Sequence, residues 1–151
     1  MNVKRGEIYW VEFDPLKGSE QGGLRPALII QNDVGNRFGA TTVVAALTRT
    51  VPAKLYPFLV LVEPEDSGLS VRSVINCSQL ATIQQQGPQS RFQPPPGERD
   101  VRPLRRLGPA SMRAVDEAQA ILDGVGMEVA YRITGHRASS SYSGAKMLWV
   151  R

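Results

Sequence analysis

Apolar residues recur in short runs along the first half of the chain, and polar or turn-forming residues separate them. Such runs, rich in valine, isoleucine and aromatic side chains, are typical of β-strands. The pattern predicts strands at 7–13, 27–31, 41–48, 58–62, 73–77 and 80–83, with turns at 32–36 and 64–68. Short strands at roughly ten-residue spacing favour a mainly β protein, a small barrel with added helices, over a parallel α/β sheet.

The pattern changes after residue 83. Residues 84–100 are rich in glutamine, proline and glycine, so we expect a mobile loop that buries little surface. Residues 109–123 predict a helix, because Pro109 suits a first turn and Gly124 suits the position after a last turn. Its apolar side chains follow a helical spacing that indicates packing against the barrel, and they are Met112, Val115, Ala118 and Leu122.

We therefore expect one domain at 1–124, with a Pro/Gln-rich loop at about 84–108. Residues 125–151 form a C-terminal extension of unknown role, in which a strand at 127–133 is one of the alternatives. A chain of 151 residues buries a core without disulfides or metals.

Composition predicts a cytoplasmic protein without a membrane segment. No apolar run approaches the roughly 20 residues that span a bilayer, and the N-terminus lacks the apolar segment of a signal peptide. The single cysteine, Cys77, forms no internal disulfide and is expected to be buried and inert. One cysteine and one histidine exclude a Cys/His zinc site, and we expect no metal or cofactor. The net charge of +4 is only a weak sign of an anionic partner.

A glycine-rich loop at 18–23 suggests a binding site. Arg25 and Pro26 lie where this loop meets the apolar run that follows. Glycine lets a backbone approach a ligand closely, and a guanidinium presents a fork of donors that matches a phosphate. The alternative is that Arg25 caps a turn or pairs with Glu20.

Three segments carry a recognisable combined pattern, namely 5–11 (RGEIYWV), 17–27 (KGSEQGGLRPA) and 30–37 (IQNDVGNR). In this order and spacing, residues 1–83 resemble the MazF/PemK toxins of bacterial toxin–antitoxin pairs. Residues 115–118 (VDEA) also resemble the start of the C-terminal helix of that family. The resemblance covers about two-thirds of the chain and leaves the tail after residue 124 unmatched.

The resemblance implies a homodimeric, SH3-like barrel that cleaves single-stranded RNA at short sequence motifs without a metal. It also implies a MazE-like antitoxin, which inhibits the toxin by lying along the dimer groove and forms a DNA-binding complex with it. The catalytic arginine of the family falls on Arg25 and the catalytic hydroxyl on Thr48. Residues of the RNA-binding groove fall on Glu20, Gln21, Gly22 and Gln79.

Metal-free cleavage uses the 2′-hydroxyl of the RNA as the nucleophile, so the protein has to stabilise the phosphorane and move protons. Because His136 is the only histidine, a two-histidine mechanism is excluded. Arg25 stays protonated near neutral pH and is therefore expected to stabilise negative charge, whereas Thr48 would donate to a phosphate oxygen. Trp10 would either stack on a base or pack in the core.

Two alternatives remain open. Many relatives have glutamate and arginine where this chain has Ser78 and Ala81, so a degenerate toxin that binds RNA or antitoxin without cutting is one alternative. The other is a non-enzymatic toxin of the same fold that poisons DNA gyrase by binding it. A relative of that kind uses a tryptophan at the end of its C-terminal helix, which Trp149 resembles only superficially.

Overall fold

The computed structural model describes residues 2–13 and 23–123, in which seven strands form one curled antiparallel sheet. The strands are β1 (Glu7–Phe13), β2 (Gly23–Ile29), β3 (Thr41–Thr48), β4 (Leu59–Val62), β5 (Ser73–Gln84), β6 (Phe92–Gln93) and β7 (Arg105–Arg106). The helices are α1 (Asp33–Phe38), α2 (Pro64–Ser67) and α3 (Pro109–Leu122). The strand order is β4-β5-β3-β2-β1-β6, and β7 also pairs with β1. The sheet curls into a half-barrel, which confirms the mainly β prediction.

Most of the predicted strands are present, with some different bounds. β1 and β3 have the predicted bounds, whereas β2 spans 23–29 instead of 27–31 and β4 begins one residue later than predicted. The two short strands predicted at 73–77 and 80–83 are one continuous strand, β5.

Both predicted turns are wrong, because short helices occupy these segments. In the turn predicted at 32–36, Asn32 caps α1 by accepting a hydrogen bond from the Gly35 amide at 2.7 Å. In the turn predicted at 64–68, α2 begins at Pro64 and ends before Gly68, which has a left-handed conformation.

The prediction of a mobile loop at 84–100 is also wrong, because long-range contacts anchor this segment. The buried Gln85 side chain donates from Nε2 to three backbone carbonyls at 3.0–3.1 Å, those of Asn36, Gly39 and Thr41. Phe92 is buried in β6 and meets the Tyr9 ring edge to face, with centroids 5.0 Å apart. A glutamine that satisfies several carbonyls stabilises a segment that its composition alone would leave disordered.

Apolar side chains are buried on both faces of the sheet. One cluster lies under α3 and includes Ile8, Leu28, Ala45, Ile75 and the helix residues Met112, Val115 and Ala118. The other lies on the opposite face and includes Tyr9, Val11, Ala27, Ile29, Val44 and Phe92. The helix stripe therefore packs against the barrel as predicted, except for Leu122, which is 40% exposed.

Arg5 ties the two longer helical elements to the sheet. Its backbone amide donates to Asp33 Oδ1 at 2.7 Å, and its Nε donates to the Ile30 carbonyl at 2.9 Å. Its Nη2 donates to Oδ1 of Asp116, a residue of α3 that is only 1% exposed. A carboxylate this buried depends on its cation, since little water reaches it.

No helix within residues 2–13 and 23–123 has the length and apolar character needed to cross a membrane. The strand predicted at 127–133 lies outside the described residues. The division into a domain at 1–124 and an extension at 125–151 stays a prediction.

We expect Arg5→Met to lower the free energy of unfolding by about 3 kcal/mol, because the buried Asp116 carboxylate loses its ion pair with Arg5. Urea unfolding of the variant measures this loss. The matched control is Arg113→Met, since Arg113 lies on the exposed face of α3. The double variant Arg5→Met/Asp116→Leu should recover much of the loss, because no buried charge remains. A single variant as stable as the wild type would contradict this role of the ion pair.

Cys77 is buried in β5, as predicted, and burial together with the nearby Asp116 carboxylate raises the pKa of its thiol to about 12. The thiolate is the reactive form, so we expect iodoacetamide to modify native Cys77 slower than the unfolded chain by about two orders of magnitude or more. Mass spectrometry of alkylated native and guanidinium-unfolded protein measures the ratio. Equal rates in the two states would show that Cys77 is accessible in the native protein.

Candidate active site

The pairing of β2 with β3 brings Arg25 and Thr48 to the same end of the sheet. In this antiparallel ladder Leu28 pairs with Ala45 and Ala27 with Ala46. The ladder ends at the Ala27–Ala46 pair, and Arg25 and Thr48 lie two residues beyond it on β2 and β3. Both residues therefore lie at the same end of the two strands.

A pocket of about 470 Å³ opens where the β2–β3 ladder ends. Its lining residues come from the middle of β1, the first half of β2, the end of β3 and the segment that leads into β5, and they include Trp10, Arg25, Pro26, Thr48, Arg49, Thr50 and Ser73. The structure thus brings together the two residues for which the family resemblance implied a catalytic role. The described lining residues include two arginines and no carboxylate, so this part of the lining is electropositive.

Arg25 lies within a paired strand and not on the glycine-rich loop. It is half-buried and pairs across the β1–β2 ladder with Val11, while the adjacent Pro26 pairs with Trp10. Gly23, at the start of the strand, has a φ of +80°, a backbone conformation that favours glycine. The strand therefore fixes the position from which the guanidinium reaches the pocket, which a loop tip would not do.

Thr48 ends β3 with its hydroxyl already oriented. Its Oγ1 accepts a hydrogen bond from the backbone amide of Thr50 at 3.2 Å. A hydroxyl that accepts one bond still has its own proton to donate, so Thr48 can bind an anion while it holds the chain reversal after the strand. The structural and the functional interpretations of this residue are therefore compatible.

Trp10 is half-buried and lines the same pocket, although its place in a strand also fits a core residue. An indole beside two arginines offers a flat surface on which a base can stack.

Of the other predicted site residues, the structure describes only Gln79. Gln79 is half-buried in β5 and is not among the residues that line it. Glu20, Gln21 and Gly22 lie outside the described residues. Among the departures from the family pattern, Ser78 is exposed and its Oγ donates to Asn76 Oδ1, while Ala81 pairs with Val44 in the β3–β5 ladder.

Sequence reasoning missed Arg49, Thr50 and Ser73 as pocket residues. For Arg49 a signal existed, since it directly follows Thr48. Ser73 is distant in sequence, and only the curl of the sheet brings it to the pocket. Over residues 2–13 and 23–123, no group of three or more His, Cys, Asp or Glu side chains is placed to hold a metal ion.

A second pocket, of about 580 Å³, lies between the end of β1, the second half of β5 and the segment after it. It is lined by Glu12, Phe13, residues 81–84 and residues 88–91. The Gln/Pro-rich segment therefore forms a wall of a cavity, which the expectation of a mobile loop did not foresee.

Comparison with known proteins identifies the family that this chain matches. Residues 4–122 match the family described as the PemK-like, MazF-like toxin of type II toxin–antitoxin systems. Endoribonuclease EndoA of Bacillus subtilis is 45% identical over 86 residues, which are 57% of this chain and 74% of that protein.

Solved structures are similar to the whole described fold. The MazF structure of Deinococcus radiodurans has a TM-score of 0.61 at 23% identity and covers 83% of this chain and 99% of its own. An endoribonuclease from Mycobacterial species, in complex with its cognate antitoxin, has a TM-score of 0.58 at 25% identity and covers 81% of this chain and 95% of its own.

Proposed function

We propose that this chain, which belongs to the PemK-like, MazF-like toxin family of type II toxin–antitoxin systems, is an endoribonuclease that cleaves single-stranded RNA without a metal ion. The observation that carries the proposal is that Arg25 and Thr48 line one electropositive pocket at the end of the β2–β3 ladder. The 45% identity to a protein named endoribonuclease EndoA supports the same activity.

In the proposed reaction, the 2′-oxygen of the RNA attacks the adjacent phosphorus after losing its proton. The bond from phosphorus to the 5′-oxygen then breaks, and that oxygen takes up a proton. The products carry a 2′,3′-cyclic phosphate and a 5′-hydroxyl. Inhibition of translation and growth follows from loss of the cut messenger RNA.

Arg25 stabilises the phosphorane in this reaction. Negative charge on the equatorial oxygens is greatest at the transition state, so a guanidinium fixed by a strand favours it over the ground state. A guanidinium offers donors and no acceptor, so we assign Arg25 no role as a general base. Thr48 donates a hydrogen bond from its hydroxyl to a phosphate oxygen.

The proposed RNA-binding groove extends from this pocket. Glu20, Gln21 and Gly22 belong to the loop that directly precedes β2, so they are tethered next to Arg25 in the chain. Gln79 would contact the RNA from β5, outside the pocket lining. Their roles rest on the family resemblance.

We propose the same partners that the resemblance implies, a second copy of the chain and a MazE-like antitoxin bound along the dimer groove. The solved complex of the Mycobacterial endoribonuclease with its cognate antitoxin supports an antitoxin as a partner. With cellular RNA as substrate, the site of action is the cytoplasm. Trp149, on which the gyrase-binding alternative depends, lies outside the described part of the chain.

We expect the purified protein to cut a long, unstructured RNA at defined sites in excess EDTA, and to leave 2′,3′-cyclic phosphate and 5′-hydroxyl ends. Arg25→Ala should lower the cleavage rate by about two to three orders of magnitude, because it removes the main stabiliser of the phosphorane. Primer extension and end-group analysis measure both. The matched control, Arg113→Ala on the exposed face of α3, should cut like the wild type.

A folded Arg25→Ala variant that cuts at nearly the wild-type rate would refute the assignment of this residue. A folded, dimeric wild type that leaves RNA intact would refute the proposed activity, and it would direct attention to the degenerate and gyrase-binding alternatives.

Thr48 provides an independent test. We expect Thr48→Val, which keeps the shape of the side chain and removes the hydroxyl, to lower kcat by about tenfold or more, whereas Thr48→Ser should retain most of it. Single-turnover cleavage measures the effect on the chemical step. Equal rates for the valine and serine variants would exclude a role for the hydroxyl.

A further inference from the structure

We propose that Arg49 is a second phosphate-binding residue of the pocket, which holds an RNA phosphate next to the scissile one. The inference rests on the proposed function and adds to it a residue to which the sequence analysis assigned no role.

Arg49 directly follows Thr48 in the chain. It is the first residue after β3, it is exposed, and it lines the same pocket as Arg25 and Thr48. The pocket therefore has one arginine on β2 and another just past the end of β3. In the proposed complex, the scissile phosphate lies on Arg25 and Thr48, and a neighbouring phosphate lies on Arg49.

The chemistry of the pocket favours a phosphodiester chain over a single anion. Its described lining has two arginines, no carboxylate and the hydroxyls of four residues, Thr48, Thr50, Ser70 and Ser73. Cations and neutral hydroxyls are the side chains that contact nucleic-acid backbones most often. Two separated cations match two successive phosphates.

The contacts of Arg49 distinguish it from arginines that stabilise the fold. Elsewhere on the described surface, carboxylates pair with Arg5, Arg72, Arg102 and Arg106. The guanidinium of Arg49 makes no hydrogen bond or ion pair in the part of the chain that the structure describes. No described residue therefore competes with a ligand for this guanidinium.

Arg49 and Arg25 should differ in their kinetic effects. A contact to a neighbouring phosphate is the same before and during the reaction, so it adds uniform binding and lowers KM without raising kcat. Since a phosphate contact reads no sequence, it leaves the cleavage motif unchanged. Arg49 is in this sense a positioning residue.

We expect Arg49→Ala to raise KM by about tenfold, with kcat and the cleavage sites unchanged. In binding to an RNA made uncleavable by a 2′-deoxy substitution at the scissile position, the slope of log Kd against log salt should fall by about 0.7, the value for one phosphate on a single strand. Fluorescence anisotropy at several KCl concentrations measures this slope. Arg49→Lys should restore the slope, and Arg113→Ala, which lies away from the pocket, should not change it.

A set of uncleavable RNAs with one uncharged methylphosphonate each identifies the phosphate. For the wild type, neutralising one phosphate next to the scissile one should weaken binding, and for Arg49→Ala the same change should have no effect. Unchanged KM, Kd and salt slope in a folded Arg49→Ala variant would overturn the inference, and so would a loss of kcat alone.

The failure of this inference is separable from that of the proposed function. If the wild type cuts RNA and Arg49→Ala binds and cuts identically, only the inference fails. If the wild type leaves RNA intact while Arg49→Ala lowers the affinity and the salt slope, only the proposed cleavage activity fails.

Discussion

The register between β2 and β3 is the constraint on which the candidate site depends. The paired residues of these strands, Ala27–Ile29 and Val44–Ala46, are buried, and successive side chains join opposite faces of the sheet. A slip of one residue would exchange the two faces and expose a row of core side chains. Hydrophobic burial in the middle of the ladder therefore sets which residues meet at its end. Arg25 and Thr48 both lie at that end, two residues beyond the last pair of the ladder.

Arginine serves two distinct purposes in this fold. Arg5 is paired with the buried carboxylate of Asp116 and holds α3 against the sheet, so its charge is neutralised within the protein. Arg25 and Arg49 instead line the pocket in which a phosphodiester is proposed to bind, and the described lining of that pocket includes no carboxylate. This placement explains why a modest net charge of +4 is compatible with an anionic substrate, since the position of the charges matters more than their sum.

The sequence predicts the elements whose pattern is local, and it fails where distant residues decide the structure. β1, β3 and α3 follow from apolar periodicity alone. The composition around Gln85 predicts disorder, whereas in the structure its side-chain amide donates to the carbonyls of Asn36, Gly39 and Thr41. The sequence predicts a turn where Asn32 caps a helix, because the same residue types favour turns and helix caps. For the site, residue patterns indicated only an anion-binding arginine, and the family resemblance supplied Thr48. The role proposed for Arg49 depends on the pocket, which the sequence does not reveal.

The most direct test of the account is a crystal structure of the protein with RNA made uncleavable by a 2′-deoxy substitution at the scissile position. The account predicts that one phosphate contacts both the Arg25 guanidinium and the Thr48 hydroxyl. This phosphate is the one bonded to the 3′-oxygen of the sugar that lacks the 2′-hydroxyl. A complex that forms with the affinity measured in solution, but in which the phosphates of the RNA lie outside this pocket, would contradict the account.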